Sequence, residues 1–296
     1  MTTLDELAAR YEAHNLKQQF NTLVNKAKNS IRLQLDPCAD EEIPLGHSKL
    51  GGAPDLPAGM DWPCRDGVME QIPLSFVGQI NFAEVKPFDL DGRLPERGIL
   101  YFFYDYNPDD GMPWGFDPKD ADGKHVLYVE DDSIALCRLE QPGELEDEGL
   151  TFDSARLSFR SSPDLPDPFS DASGLGILLK STKDRLYDLM DELEEEAEDP
   201  CVNKLLGYPN QIQGDMQVEC QIVTQGYYAG NSAGYAEASA KGAHKNADRW
   251  QLLLQVDSNE ELGMMWGDCG RLYLWITEED LRRRDFDHTW LILQCG

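Results

Sequence analysis

Between Trp250 and Leu281 two apolar runs of strand length, WQLLLQVDS and RLYLWIT, flank the tight segment Trp266-Gly267-Asp268-Cys269-Gly270 and lead into an acidic helix start at Glu278. Short apolar runs closed by Gly and Asp read as buried strands joined by a turn. An earlier stretch has the same skeleton: PLSFVGQIN from Pro73, then GILYFFYD from Gly98. Gln79-Ile80-Asn81 matches Gln255-Val256-Asp257, Gly98-Ile99-Leu100-Tyr101 matches Gly270-Arg271-Leu272-Tyr273, and KLGGAP from Lys49 matches KLLGYP from Lys204. An amphipathic helix, an LG-x-P turn and a strand pair thus recur in one order, and repeated units must bury their apolar faces against each other. The expected fold is α+β, two pseudo-repeated halves of mostly antiparallel strands with amphipathic helices, packed as one compact unit. Residues 1–180 form the expected N-terminal half and 181–296 the second.

Taken in order, Thr3 and Glu6 suit a capping box, and helical spacing of apolar residues runs to Ala27 with a slip near Asn15. Ile31, Leu33 and Leu35 alternate as in a half-buried strand. A structured Pro/Gly loop follows from Pro44 to Pro63. Strands are expected at Leu74–Ile80, Gly98–Tyr106, His125–Val129 and Ile134–Leu139, with an aromatic turn containing Trp114 and Phe116 between the second and third. Residues Gln141–Gly149 and the proline-rich Ser161–Asp171 read as the irregular seam between halves. A helix from Ser181 carries a carboxylate face, Asp188–Asp199, and stops at Pro200. A strand near Val218–Thr224, a Gly/Ala/Tyr-rich insertion from Gly226 to Gly242 and a final strand at Thr289–Gln294 complete the chain.

Charge bounds the partners. Acids outnumber bases 55 to 26, for a net charge of −29. Such a field repels phosphate backbones and anionic lipid, so neither nucleic acid nor a membrane is an expected partner. The one dense basic run, Arg282-Arg283-Arg284, suits the end of a short helix. A basic protein or a small ligand is the partner class left. No apolar run approaches the roughly 20 residues of a membrane span, and no signal segment opens the chain, which makes a cytoplasmic protein the expectation. The seven cysteines show no CxxC or Cys-His spacing, so neither a zinc site nor a disulfide framework is expected, and no cofactor is implied.

Motifs for nucleophilic serine, phosphate-loop, dinucleotide and HExxH zinc chemistry are absent. No catalytic residue is assigned. The Trp266–Gly270 segment is the leading site candidate, because glycines let backbone approach a ligand. Asp268 there is either a base or cation ligand or the residue that closes its own turn. Cys269 lacks a nearby histidine in sequence to activate it. Gln79 and Gln255 end apolar strands at matching positions, where each amide either bridges the halves or reads a ligand. A groove between halves would be lined by Pro54, Gln79, Tyr208, Gln213, Gln255, Trp266 and Asp268. Binding without catalysis is the expected activity, and the alternative is a metal-assisted hydrolase using Asp268 and Asp257 with His47.

The segments LGGAPDLP with the later Trp62-Pro63, PLSFVGQIN, GILYFFYD, LLGYPNQIQGDMQVEC, LLLQVDS, MMWGDCGRLYLWIT and LILQC together resemble the YwqG-like family, a bacterial family of unknown function. The resemblance runs from about Pro44 to the end. It implies a mixed α and β fold of this whole length and supplies no reaction and no catalytic residue. Relatives that look like components of toxin and immunity loci imply an immunity-type, protein-binding role by association.

Overall fold

A computed structural model describes residues 3–67, 70–108, 111–131, 133–196 and 201–296. Its strands are β1 (Lys28–Pro37), β2 (Lys49–Leu50), β3 (Asp55–Pro57), β4 (Cys64–Asp66), β5 (Gln71–Pro73), β6 (Ser75–Asn81), β7 (Ile99–Tyr104), β8 (Lys124–Val129), β9 (Leu136–Arg138), β10 (Ala155–Asp164), β11 (Lys204–Leu206), β12 (Trp250–Asp257), β13 (Arg271–Thr277) and β14 (Trp290–Gln294). The helices are α1 (Leu4–Ala13), α2 (Lys17–Val24), α3 (Phe82–Val85), α4 (Gly143–Asp147), α5 (Lys180–Glu195), α6 (Gln217–Val223), α7 (Ser232–Ala240) and α8 (Glu278–Arg283). The fold is α+β, as expected.

One antiparallel sheet holds 10 strands in the order β14-β13-β12-β11-β1-β10-β2-β6-β7-β8, and small pairs β3-β9 and β4-β5 lie outside it. Its centre is the long β1·β10 pair, in register from Lys28 opposite Asp164 to Pro37 opposite Ala155. Outward from this pair the order reads the same way twice. β11, β12, β13 and β14 stand beside β1, while β2, β6, β7 and β8 stand beside β10. Each set of outer strands therefore takes as its inner neighbour the long strand that precedes the other set in the chain.

The repeat is written in side chains as well as strand order. Lys49 lies opposite Gln79, and Gln79 opposite Tyr101; Lys204 lies opposite Gln255, and Gln255 opposite Tyr273. Both second strands skip one residue at the same place, Val77 and Leu253. Such a bulge turns the following side chain without ending the ladder. Gln79 accepts from Asp55 N at 2.9 Å and donates to His47 O at 2.8 Å. Gln255 does the same with Asn210 N at 2.9 Å and Val202 O at 2.6 Å. Tyr101 and Tyr273 hydroxyls each donate at 2.6 Å to the carbonyls of Asp55 and Asn210. Buried amides must be satisfied, and these are satisfied by their own set of strands: the two glutamines do not bridge between sets.

The lysines are the other half of the pattern. Lys49 and Lys204 are buried, and each ammonium meets one carboxylate oxygen at 2.7 Å, Asp40 and Asp164 respectively. The same carboxylates accept from Ala53 N at 3.2 Å and Tyr208 N at 2.9 Å. Gly52 and Gly207 sit at φ +67° and +77°, where an added Cβ would fall 2.5 Å and 2.3 Å from these aspartate oxygens. Only glycine lets the turn close over the acid. The sets differ in one place. Asp55 in the first adds Lys49 at 3.7 Å and Arg138 at 2.8 Å; its counterpart in the second is the neutral Asn210.

Several local expectations change. The expected strand at Val218–Thr224 is instead helix α6 to Val223, capped by Thr224: Met216, Cys220 and Val223 are buried at helical spacing, and the β-branched residues between them masked that period. The seam at Ser161–Asp171 contains the end of β10, whose buried Ala155, Leu157 and Phe159 alternate with more exposed residues. Prolines drew attention from that alternation, although Pro163 stands near the strand end opposite Asn29. The helices are not equivalent either, since α1 and α2 precede β1 whereas α5 lies between β10 and β11. They pack together through Tyr11, Leu16, Phe20, Leu23, Leu186 and Leu189. Glu192 on the acidic face of α5 takes Arg10 at 2.5 Å and His14 at 2.9 Å. The rest of that face beyond Glu196, with Pro200, lies outside the described residues.

Exchange of β1 and β10 carries a prediction. Residues 1–150 and 151–296 expressed separately should each lack a folded near-ultraviolet signature, because each leaves a central strand without its neighbour. Mixed from denaturant, they should recover the spectrum of the whole chain. A cooperatively folding monomeric fragment would contradict the exchange.

Candidate functional site

The two edge strands of the sheet, β8 and β14, are tied together by the β7–β8 connection. Leu293 N donates to Trp114 O at 3.0 Å, and Trp290 Nε1 donates to Gly115 O at 2.8 Å. Gly115 has φ +90°, and a Cβ there would fall 2.0 Å from Leu291 O, so the crossing segment presses directly on the β14 backbone. Asp120 fixes its turn by accepting from Gly115 N at 2.8 Å. An aromatic loop from the first set of strands is thereby laid along the last strand of the second.

Against this loop the segment between β11 and β12 adds α6 and α7, closed by Ala229 N donating to Phe116 O at 2.7 Å. The open cavity between them measures about 490 Å³. Trp114, Phe116 and Tyr235 line it, with Gln213 and the acids Asp215 and Glu219. Gln294 belongs to its wall, its Oε1 held by the amides of Ile212 and Gln213 at 2.9 Å. Phe116 is set by an edge contact with Tyr228, ring centres 5.6 Å apart.

Glu219 is the unusual group. Burial alone pushes its carboxyl up to about 7. Among the described residues no cation or hydrogen-bond donor meets its side chain. Burial, followed by the charge of Glu219, lifts the neighbouring Tyr235 hydroxyl to about 12. Glu219 is half-buried, and a carboxylate partly withdrawn from water without a partner ionises at a cost. In a cavity that aromatic side chains also line, it is chemically suited to an ammonium or guanidinium group.

Of the residues expected to line a groove, Gln213 alone reaches this cavity. Tyr208 borders a small cleft and donates its hydroxyl to Lys26 O at 2.8 Å. Pro54 is buried in the turn of the first set, and Gln79 and Gln255 are occupied in their ladders. Trp266 is fully buried, edge-on to Tyr106 and Phe152 at 5.5 and 5.4 Å. Asp268 is exposed on a turn whose carbonyl accepts from Gly296 N. The structure does not bring the seven into one cavity. Asp257, Asp268 and His47 do not converge on a metal position either: Asp257 pairs with Arg271 at 2.9 Å and His47 with Glu84 at 2.7 Å. Asp280, Asp285 and His288 are the cluster of ligand atoms found among the described residues, within 4.8 Å of one another.

Sequence reasoning noticed Trp114 and Phe116 as an aromatic turn and missed Glu219. Once Gln217–Val223 is helical, Glu219, itself half-buried, falls on the helix face that carries the buried Met216, Cys220 and Val223. A carboxylate on an apolar helix face is the signal that points to it.

A family model described as a domain of unknown function, DUF1963, matches residues 48–295. The chain belongs to this family. The DUF1963 match takes in β2 through β14 and every residue of the cavity, and leaves α1, α2 and β1 before it. No curated protein matches the chain. Among the described residues no helix is long and apolar enough to cross a membrane.

Proposed function

We propose that this DUF1963 protein, in keeping with its YwqG-like resemblance, is a non-catalytic binding protein whose cavity accepts a cationic group. The ligand is a small organic cation or a lysine or arginine side chain of a basic partner; an immunity protein holding a basic toxin is one form of the latter. The observation that carries this reading is the unpartnered carboxyl of Glu219 in a cavity that Trp114, Phe116 and Tyr235 also line. The net charge of −29 supports it by drawing cations toward the surface.

Titration with tetramethylammonium and methylguanidinium, followed by calorimetry at pH 8, is the test. Saturable binding is expected for wild type, weakened at least ~10-fold by Glu219→Gln, a loss of about 1.4 kcal/mol. Binding should also weaken at pH 6, where Glu219 takes up its proton. A titration without saturation, or a Glu219→Gln protein that binds as well as wild type, defeats the reading.

A further inference from the structure

At the C-terminal end of α6, Lys124, Arg249, Trp250, Asp287, His288 and Trp290 border a second cavity of about 490 Å³, which Asp280 also reaches. Its charges separate into answered and unanswered ones. Asp280 is held by Thr277 and by Arg283 at 2.8 Å, and His288 lies 3.0 Å from Asp285. Arg249 uses Nε on the Gln221 amide at 3.1 Å and rests over the Trp250 ring at 6.0 Å, with no carboxylate partner among the described residues. Lys124 likewise has no ion pair there. Burial brings its amine down to about 8, opposed by the charges of Asp287 and Asp122, so the amine stays protonated at neutral pH. Two cations without an ion pair among the described residues, Lys124 and Arg249, therefore border the cavity.

We propose that this cavity is a second site, which takes a small organic oxyanion, a carboxylate or phosphate, with its apolar body against Trp250 and Trp290. Two side-chain cations that lack an ion pair are the groups an anion entering this cavity would meet. Both tryptophans are anchored: Trp250 Nε1 donates to Gln221 Oε1 at 3.0 Å and Trp290 Nε1 to Gly115 O at 2.8 Å. Their rings are fixed walls, and a planar guanidinium and an ammonium are the donors that oxyanions use best. This site does not depend on the cation-binding reading, since Glu219 does not border it.

The experiment titrates the full chain with benzoate and, separately, with inorganic phosphate at about 150 mM salt, where the long-range field of the acidic surface is screened. Saturable binding of either probe is expected, with benzoate tighter if the tryptophan walls contribute. Lys124→Met and Arg249→Met should each weaken it at least ~10-fold while keeping the wild-type circular dichroism spectrum. Glu219→Gln should leave it unchanged. Absence of saturable binding by both probes overturns the proposal, as does undiminished binding in folded Lys124→Met and Arg249→Met proteins.

Discussion

Asp164→Asn is expected to cost the folded state about 3–5 kcal/mol, the range for removing one partner of a buried ion pair. Lys204 is 2% exposed, Asp164 at 2.7 Å is its single carboxylate partner among the described residues, and the neighbouring charges of Arg32 and Arg271 oppose it. The amide of asparagine leaves a buried ammonium unanswered. Asp40→Asn at the matching position should cost clearly less, because Lys49 retains Asp55 at 3.7 Å. Denaturant midpoints for the two variants at pH 7 measure the difference. Burial already lowers Lys204 below its ordinary value. Without Asp164 it falls further, so in the variant the unfolded chain holds more protons than the folded one between the two pKa values. Stability then rises with pH, and the Asp164→Asn deficit should narrow from pH 7 toward pH 10. Equal losses for Asp40→Asn and Asp164→Asn would show that the ladders are not organised by these pairs.

Glu219→Gln is expected to act in the opposite direction, stabilising the protein by roughly 2–3 kcal/mol at pH 8. The folded carboxyl stands at about 7 against an ordinary 4.5. Below pH 4.5 both states hold the proton and the residue is neutral in its effect. As pH rises toward 7 the unfolded chain releases the proton first, and the folded state loses stability; above 7 the penalty is complete. Glutamine removes it, so the variant should match wild type near pH 4 and melt higher at pH 8. Saturating tetramethylammonium should close the gap by stabilising wild type alone. A variant less stable than wild type at pH 8 would mean that Glu219 has an internal partner and that the cavity is not built around an unmet charge. A residue kept at a cost to stability is the usual mark of a binding site.

Much of the sheet was legible. The alternation at Ile31–Leu35, the apolar runs of β6, β7, β12 and β13, and the short motifs that carry the matched Lys, Gln and Tyr all rest on spacing within a few residues. Side-chain period and turn chemistry are local, so these elements stand close to where their residues place them. The break near Asn15 is equally local: that residue has φ +57° between α1 and α2. The site was less legible. Gln79 and Gln255 carried the right signal, a polar amide in a buried strand, and their partners proved to be backbone of the same set. Trp266 and Asp268 are neighbours in sequence but divide between core and solvent. Glu219 was hidden by a helix read as a strand.

Sequence by itself determined that the chain would build antiparallel strands in two matched sets with Lys, Gln and Tyr at corresponding places in each, because strand period and the short motifs around those residues are local. Tertiary structure decided which unit each long strand joins, and that the β7–β8 loop of one set covers the edge of the other. Those choices depend on pairings across more than a hundred residues, such as Leu33 N with Asn203 O and Leu293 N with Trp114 O. The same long-range closure set the environment of Glu219. A carboxylate's charge is fixed by its type, but its cost is fixed by what the fold places around it.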